Sequence, residues 1–105
     1  MAMAEYAWTS FNDNAKIFKA APQGKASDPR FHPTQKPVEL YDWIFSKYAE
    51  PGMKILDTHA GSGSSIIAAE NRGLEIHACE INKKYFEKAV KRIERETAQI
   101  TLFNL

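Results

Sequence analysis

A short apolar run, Met53-Lys54-Ile55-Leu56-Asp57, passes directly into Thr58-His59-Ala60-Gly61-Ser62-Gly63-Ser64-Ser65. Glycines at 61 and 63 behind a strand permit a tight turn and let backbone approach whatever sits there. Residues 64–72 then carry Ile66, Ile67, Ala68 and Ala69, a helix-length segment that Gly73 stops. Leu74-Glu75-Ile76-His77-Ala78-Cys79-Glu80 alternates, which predicts a strand with Leu74, Ile76 and Ala78 on one face. Asn82 caps a helix over residues 83–97, and the pattern assigns its buried face to Phe86, Ala89, Val90 and Ile93. Strand, glycine turn, helix, strand, helix is a right-handed βαβ unit with a parallel sheet. The fold class is α/β.

Upstream, Tyr41, Ile44, Phe45 and Tyr48 make one apolar helical stripe, with Pro37 in the first turn and Pro51-Gly52 at the end. The stretch from Pro22 to Pro33 has the composition of a loop, and residues 15–37 carry a basic excess, Lys16, Lys19, Lys25, Arg30 and Lys36 against Asp28. Before it, Glu5–Phe11 and Ala15–Lys19 flank Asn12-Asp13-Asn14, which predicts an N-terminal hairpin. The tail Ile100–Phe103 reads as a last short strand. Trp8, Trp43 and the tyrosines are expected in the core. At 105 residues the chain is one domain, divided into a hairpin and basic loop (1–31) and a ligand-binding part (32–105).

Several function classes drop out. No apolar run is long enough for a membrane helix, and the first residues do not resemble a signal peptide. The single cysteine, Cys79, precludes an intrachain disulfide and suits a reducing, cytoplasmic setting; it is expected to be a buried strand residue. His32, His59, His77 and Cys79 lack paired ligand spacing, so no metal site is expected. A net charge of +1 is too small for sequence-blind nucleic-acid binding.

The chemistry concentrates at Asp57–Gly63 and Glu80. Free N–H groups where the helix begins favour an anionic or hydroxyl group. Glu80 ends the next strand, where a carboxylate accepts hydrogen bonds from ribose hydroxyls. Ile66 stands where a dinucleotide fingerprint needs glycine or alanine, and Ser64-Ser65 stands where a phosphate loop needs lysine. Asp57 would repel a pyrophosphate and suits a cationic amino group. Ribose at Glu80 with an amino acid near Asp57 describes S-adenosylmethionine.

A second string, His32-Pro33-Thr34-Gln35-Lys36-Pro37, precedes the first helix. With the glycine loop about 20 residues later, this order resembles the C-terminal portion of bacterial and phage DNA amino-methyltransferases, in the permuted, beta-like class. The similarity is close over residues 32–95 and extends to Tyr6–Phe18. It implies a partial Rossmann-like sheet binding S-adenosylmethionine. Thr34 and Lys36 would lie over its methionine end, Asp57 and the Gly61-Ser62-Gly63 backbone would hold the methionyl group, Glu80 would take the ribose, and Ile81 would pack on adenine. Many members have Pro-Phe after the loop acid; here it is Thr58-His59.

The family's catalytic signature is an Asp, Asn or Ser followed by Pro-Pro and an aromatic residue. It accepts the target amino hydrogens and stacks on the flipped base. Asp28-Pro29-Arg30-Phe31 comes nearest, but Arg30 replaces the second proline. The resemblance therefore implies the cofactor-binding part of an enzyme acting on DNA adenine or cytosine, with no catalytic residue assigned. The alternatives are a non-catalytic module with the same fold, or a nucleotide-binding module of another Rossmann class. Either a missing catalytic half or a second copy is the expected partner, because Lys54-Ile55-Leu56 is too apolar for a natural sheet edge.

Overall fold

The computed structural model describes residues 5–19, 30–32 and 35–103, with side chains to residue 98. Its elements are α1 (Val38–Tyr48), β1 (Lys54–Asp57), α2 (Ser64–Asn71), β2 (Glu75–Ala78) and α3 (Lys83–Phe103). Strands β1 and β2 pair in parallel, with Lys54 opposite Glu75 and Asp57 opposite Ala78. The βαβ unit of the sequence is present.

The core lies where α1 and α2 meet one face of this sheet. Phe45 from α1, Ala68 and Ala69 from α2, and Leu74 ahead of β2 are its buried centre. Val38, Tyr41, Ile44, Ile55 and Ile76 pack around them. Ala68 and Ala69 are completely buried, and their small side chains let α2 approach closely. At the surface, Arg72 Nε donates to Asp42 Oδ1 at 2.7 Å and links the two helices.

The other sheet face is open. Leu56 is 69% exposed, and Lys54, Glu75, His77 and Cys79 share its side. Parallel strands are ordinarily covered on both faces. That opening corrects the expectation for Cys79, which is exposed rather than buried.

Three other expectations are corrected. Residues 5–19 form no strand, so the N-terminal hairpin is absent. They run instead along α1: Glu5 pairs with Lys36, Phe11 stacks on Tyr48 at 4.5 Å, Tyr48 Oη donates to Asp13 Oδ2 at 2.9 Å, and Phe18 meets Trp43. Aromatic contacts with a ready-made helix take the place of cross-strand pairing. Tyr6 and Trp8 consequently stay out of the core, at 99% and 91% exposure. At the other end α3 continues through Phe103, so the tail is helical rather than a strand.

Helix α3 is also rotated from its expected setting. Asn82 Oδ1 caps it by accepting from the Tyr85 N–H at 3.1 Å, as expected. Its inward residues, however, are Tyr85, Ala89, Arg92, Ile93 and Glu96, while Phe86 and Val90 are exposed. Ala89 and Ile93 face inward as expected, while Tyr85, Arg92 and Glu96 take the place of Phe86 and Val90, a rotation of less than the ~100° of one residue. Among the described residues no helix is long and apolar enough to cross a membrane.

Candidate functional site

The C-terminal ends of β1 and β2 are stitched together beyond the ladder. Cys79 N–H donates to the Asp57 carbonyl at 2.9 Å, and Ala60 N–H donates to the Cys79 carbonyl at 2.8 Å. This holds the glycine loop beside the chain leaving β2. Gly61 N–H then reaches Glu80 Oε1 at 2.8 Å, while Glu80 Oε2 accepts from Asn82 N–H at 2.9 Å. Those two N–H groups, Asn82 first and then Gly61, hold the Glu80 carboxyl below its usual range, helped by the nearby His32 and His59. Glu80 is thus fixed as an anion. Each of its oxygens keeps a further lone pair for another donor.

A cleft of about 350 Å³ opens at this point, lined by His32, Lys36, Tyr41, His59, Ala60, Gly61, Ser62, Ser64 and Glu80. The His32 ring lies over Gly61, its Nε2 3.5 Å from where a Cβ would stand, and packs against Tyr85 at 4.3 Å. Lys36 reaches Glu5 at 2.9 Å from the side of the cleft. Burial holds the Tyr41 hydroxyl above its ordinary pKa, reinforced by the charges of Asp57 and Glu5.

Of the residues singled out from sequence, Lys36, Gly61, Ser62 and Glu80 meet around the cleft. Asp57 and Gly63 do not line it. Asp57 accepts from Ser65 Oγ at 2.5 Å and from His59 N–H at 3.0 Å, so its carboxylate braces the start of α2 and the loop. Gly63, at φ +85°, faces α3: a Cβ there would lie 3.1 Å from Ile93 Cδ1. Both therefore act on the loop from behind. Ile81 is fully exposed next to Glu80 and outside the lining. Thr34 lies outside the described residues.

Sequence reasoning gave no role to Tyr41, His59 or Ser64, all of which line the cleft. Tyr41 sat within an apolar stripe and was read only as packing. The larger omission is Arg92, which the pattern leaves off the buried face of the last helix and which is only 2% exposed. A single arginine facing inward among apolar helix positions is the signal that could have found it. Among the described residues no group of three His, Cys, Asp or Glu side chains could hold a metal ion.

Comparisons with known proteins bear on the family and the fold. The type II methyltransferase M2.DpnII of Streptococcus pneumoniae is 37% identical over 65 residues, 62% of this chain and 24% of that protein. The DNA adenine methyltransferase YhdJ of Escherichia coli K12 is 35% identical over 63 residues, 60% of this chain and 21% of its own length. A crystal structure of an M1.HpyAVI–SAM complex superposes with a TM-score of 0.58 at 30% identity, covering 74% of this chain and 44% of that one. The chain thus spans less than a third of these curated relatives and under half of the solved structure, and its fold is a partial Rossmann-like methyltransferase fold. With a DNA methylase family model matching residues 5–91, the chain belongs to that family.

Proposed function

We propose that this chain is the S-adenosylmethionine-binding part of a site-specific DNA amino-methyltransferase acting on adenine or cytosine. The observation that carries the reading is Glu80. Two backbone N–H groups fix it as an anion at the edge of the cleft, with one free lone pair on each oxygen, which suits two neighbouring ribose hydroxyls. The solved relative, described as a SAM complex, supports the same ligand.

When bound, the cofactor supplies a methyl group on a sulfonium, open to in-line attack by an amino nitrogen. The residues of this chain bind and orient. Glu80 takes the ribose and the exposed Ile81 offers an apolar surface to adenine. Gly61 and Ser62 line the cleft toward the methionyl group, with Lys36 on its other side. Asp57 and Gly63 contribute indirectly by shaping the loop.

Glu80→Ala is expected to weaken S-adenosylhomocysteine binding roughly ten- to a hundredfold, the worth of hydrogen bonds to a charged acceptor. Calorimetry on both proteins checks it. Absence of heat from the wild-type chain at millimolar ligand would sink the reading; equal binding by the variant would sink the role of Glu80.

Base methylation also needs an acceptor for the amino hydrogens and a ring to stack on the flipped base. None of the five prolines is followed by a second, so no Pro-Pro-aromatic string exists in these 105 residues. Purified chain alone is expected to bind cofactor yet transfer no radiolabelled methyl to mixed-sequence DNA. Incorporation above background would mean that another residue holds the base.

The open sheet face and the exposed Leu56, Phe86 and Val90 suit a covering partner. Because residues 5–19 lie along α1 and no described residue pairs with the outer edge of β1, a second copy or a catalytic half is the natural occupant. Light scattering across a dilution series should give a mass above 11.9 kDa at micromolar concentration. A well-folded monomer throughout would refute self-association.

A further inference from the structure

Arg92 is a charged side chain in a place where its charge costs stability. It is 2% exposed, and its guanidinium meets the first turn of α2, where the helix dipole disfavours a cation. Buried charges are weak contributors to stability, since apolar replacements of similar volume are often neutral. Its contacts point to another purpose.

Nη1 of Arg92 donates to the Ser62 carbonyl at 3.0 Å and to Ser64 Oγ at 2.8 Å. A hydroxyl has one proton to give and two lone pairs with which to accept. Ser64 gives its proton to the Lys36 carbonyl at 2.6 Å. The relay therefore has one polarity: Arg92 to Ser64, then Ser64 to Lys36. It starts on α3, crosses the beginning of α2, and ends just before α1. Lys36, Ser62 and Ser64 all line the cleft, while Arg92 does not. The carbonyl of Ser62, once engaged by Arg92, fixes the peptide between Ser62 and Gly63.

We propose that Arg92 is a positioning residue for cofactor binding: through Ser64 it holds the glycine loop and the Lys36 segment at a fixed separation across the cleft. The cofactor half of this statement rests on the function proposed above; the loop-holding half does not. Arg92→Met keeps the bulk and removes the donors. Ser64→Ala cuts the same relay with a smaller change and guards against a variant that fails to fold. Leu74→Ala serves as a control, since Leu74 is buried in the core and does not line the cleft.

Two measurements test it at a temperature where all four proteins are folded. The first is amide hydrogen exchange in the unliganded chain, comparing Gly61 with Cys79, whose N–H is bonded at the strand end. Protection at Gly61 relative to Cys79 is expected to fall about tenfold or more in Arg92→Met and Ser64→Ala, and to hold in Leu74→Ala. The second is calorimetry with S-adenosylhomocysteine, where the two relay variants should bind at least about tenfold more weakly and the control as wild type. Unchanged Gly61 protection in both relay variants overturns the proposal. So does a Leu74→Ala control that loses protection and affinity to the same extent. If wild type binds no ligand, the cofactor-binding reading fails, and the exchange data still decide what Arg92 does to the loop.

Discussion

Gly63→Val is expected to destabilise the chain by about 2–5 kcal/mol, from left-handed strain of roughly 1–2 kcal/mol and overpacking of about 1–3 kcal/mol. The residue sits at φ +85°, a conformation that β-branched side chains avoid. Its Cβ would also lie 3.1 and 3.3 Å from Ile93 Cδ1 and Cγ1, so α3 would have to retreat from the loop. Against a total of about 5–15 kcal/mol for a domain of this size, that loss is large. Gly52→Ala separates the two causes, because Gly52 has φ +90° with nothing within 4 Å. Urea titration followed by circular dichroism should rank Gly52→Ala mildest, Gly63→Ala next and Gly63→Val worst. Equal midpoints for the two alanine variants would show that the approach of Ile93 costs nothing.

Phe45→Ala carries the second large effect, a loss of about 3–5 kcal/mol. Phe45 is the aromatic centre of the core and 7% exposed, between Ala68, Ala69 and Leu74. Its neighbours Ala68 and Ala69 have no longer side chain with which to fill the space. The cavity would persist, and with it the full penalty. Thermal melting should show a transition lowered by well over ten degrees or none at all; a shift of only a few degrees would mean that the core has another centre.

What could be read from the residues follows from how local each signal is. The βαβ unit was legible because Gly61, Gly63, Gly73 and Asn82 each dictate backbone at their own position. The placing of Glu80 opposite the loop followed from strand length alone. The side of α3 that faces inward was only half legible: Ala89 and Ile93 are inward, but Phe86 and Val90 are better core residues than Arg92 by local criteria. The two Ser oxygen atoms brought up by the loop help to make an inward arginine tolerable. The N-terminal runs misled in a related way: alternating aromatics satisfy a strand, but they equally satisfy an irregular segment packed on Trp43 and Tyr48. The exposure of Cys79 depends on an uncovered sheet face, which no single strand announces.

The hydrogen bond from Gly61 to Glu80 spans 19 residues, and the relay through Ser64 and Arg92 spans 28 and 30. Loop-closure entropy rises slowly with length, by about 0.6 kcal/mol per doubling, so these closures cost nearly the same. Each of them nevertheless joins residues far apart in the sequence, and the strands they tie down are parallel. Non-local pairings of this kind form slowly. The walls of the cleft are therefore expected to close late, after the local helices have formed. A chain emerging from synthesis would present a finished pocket only once α3 had been made.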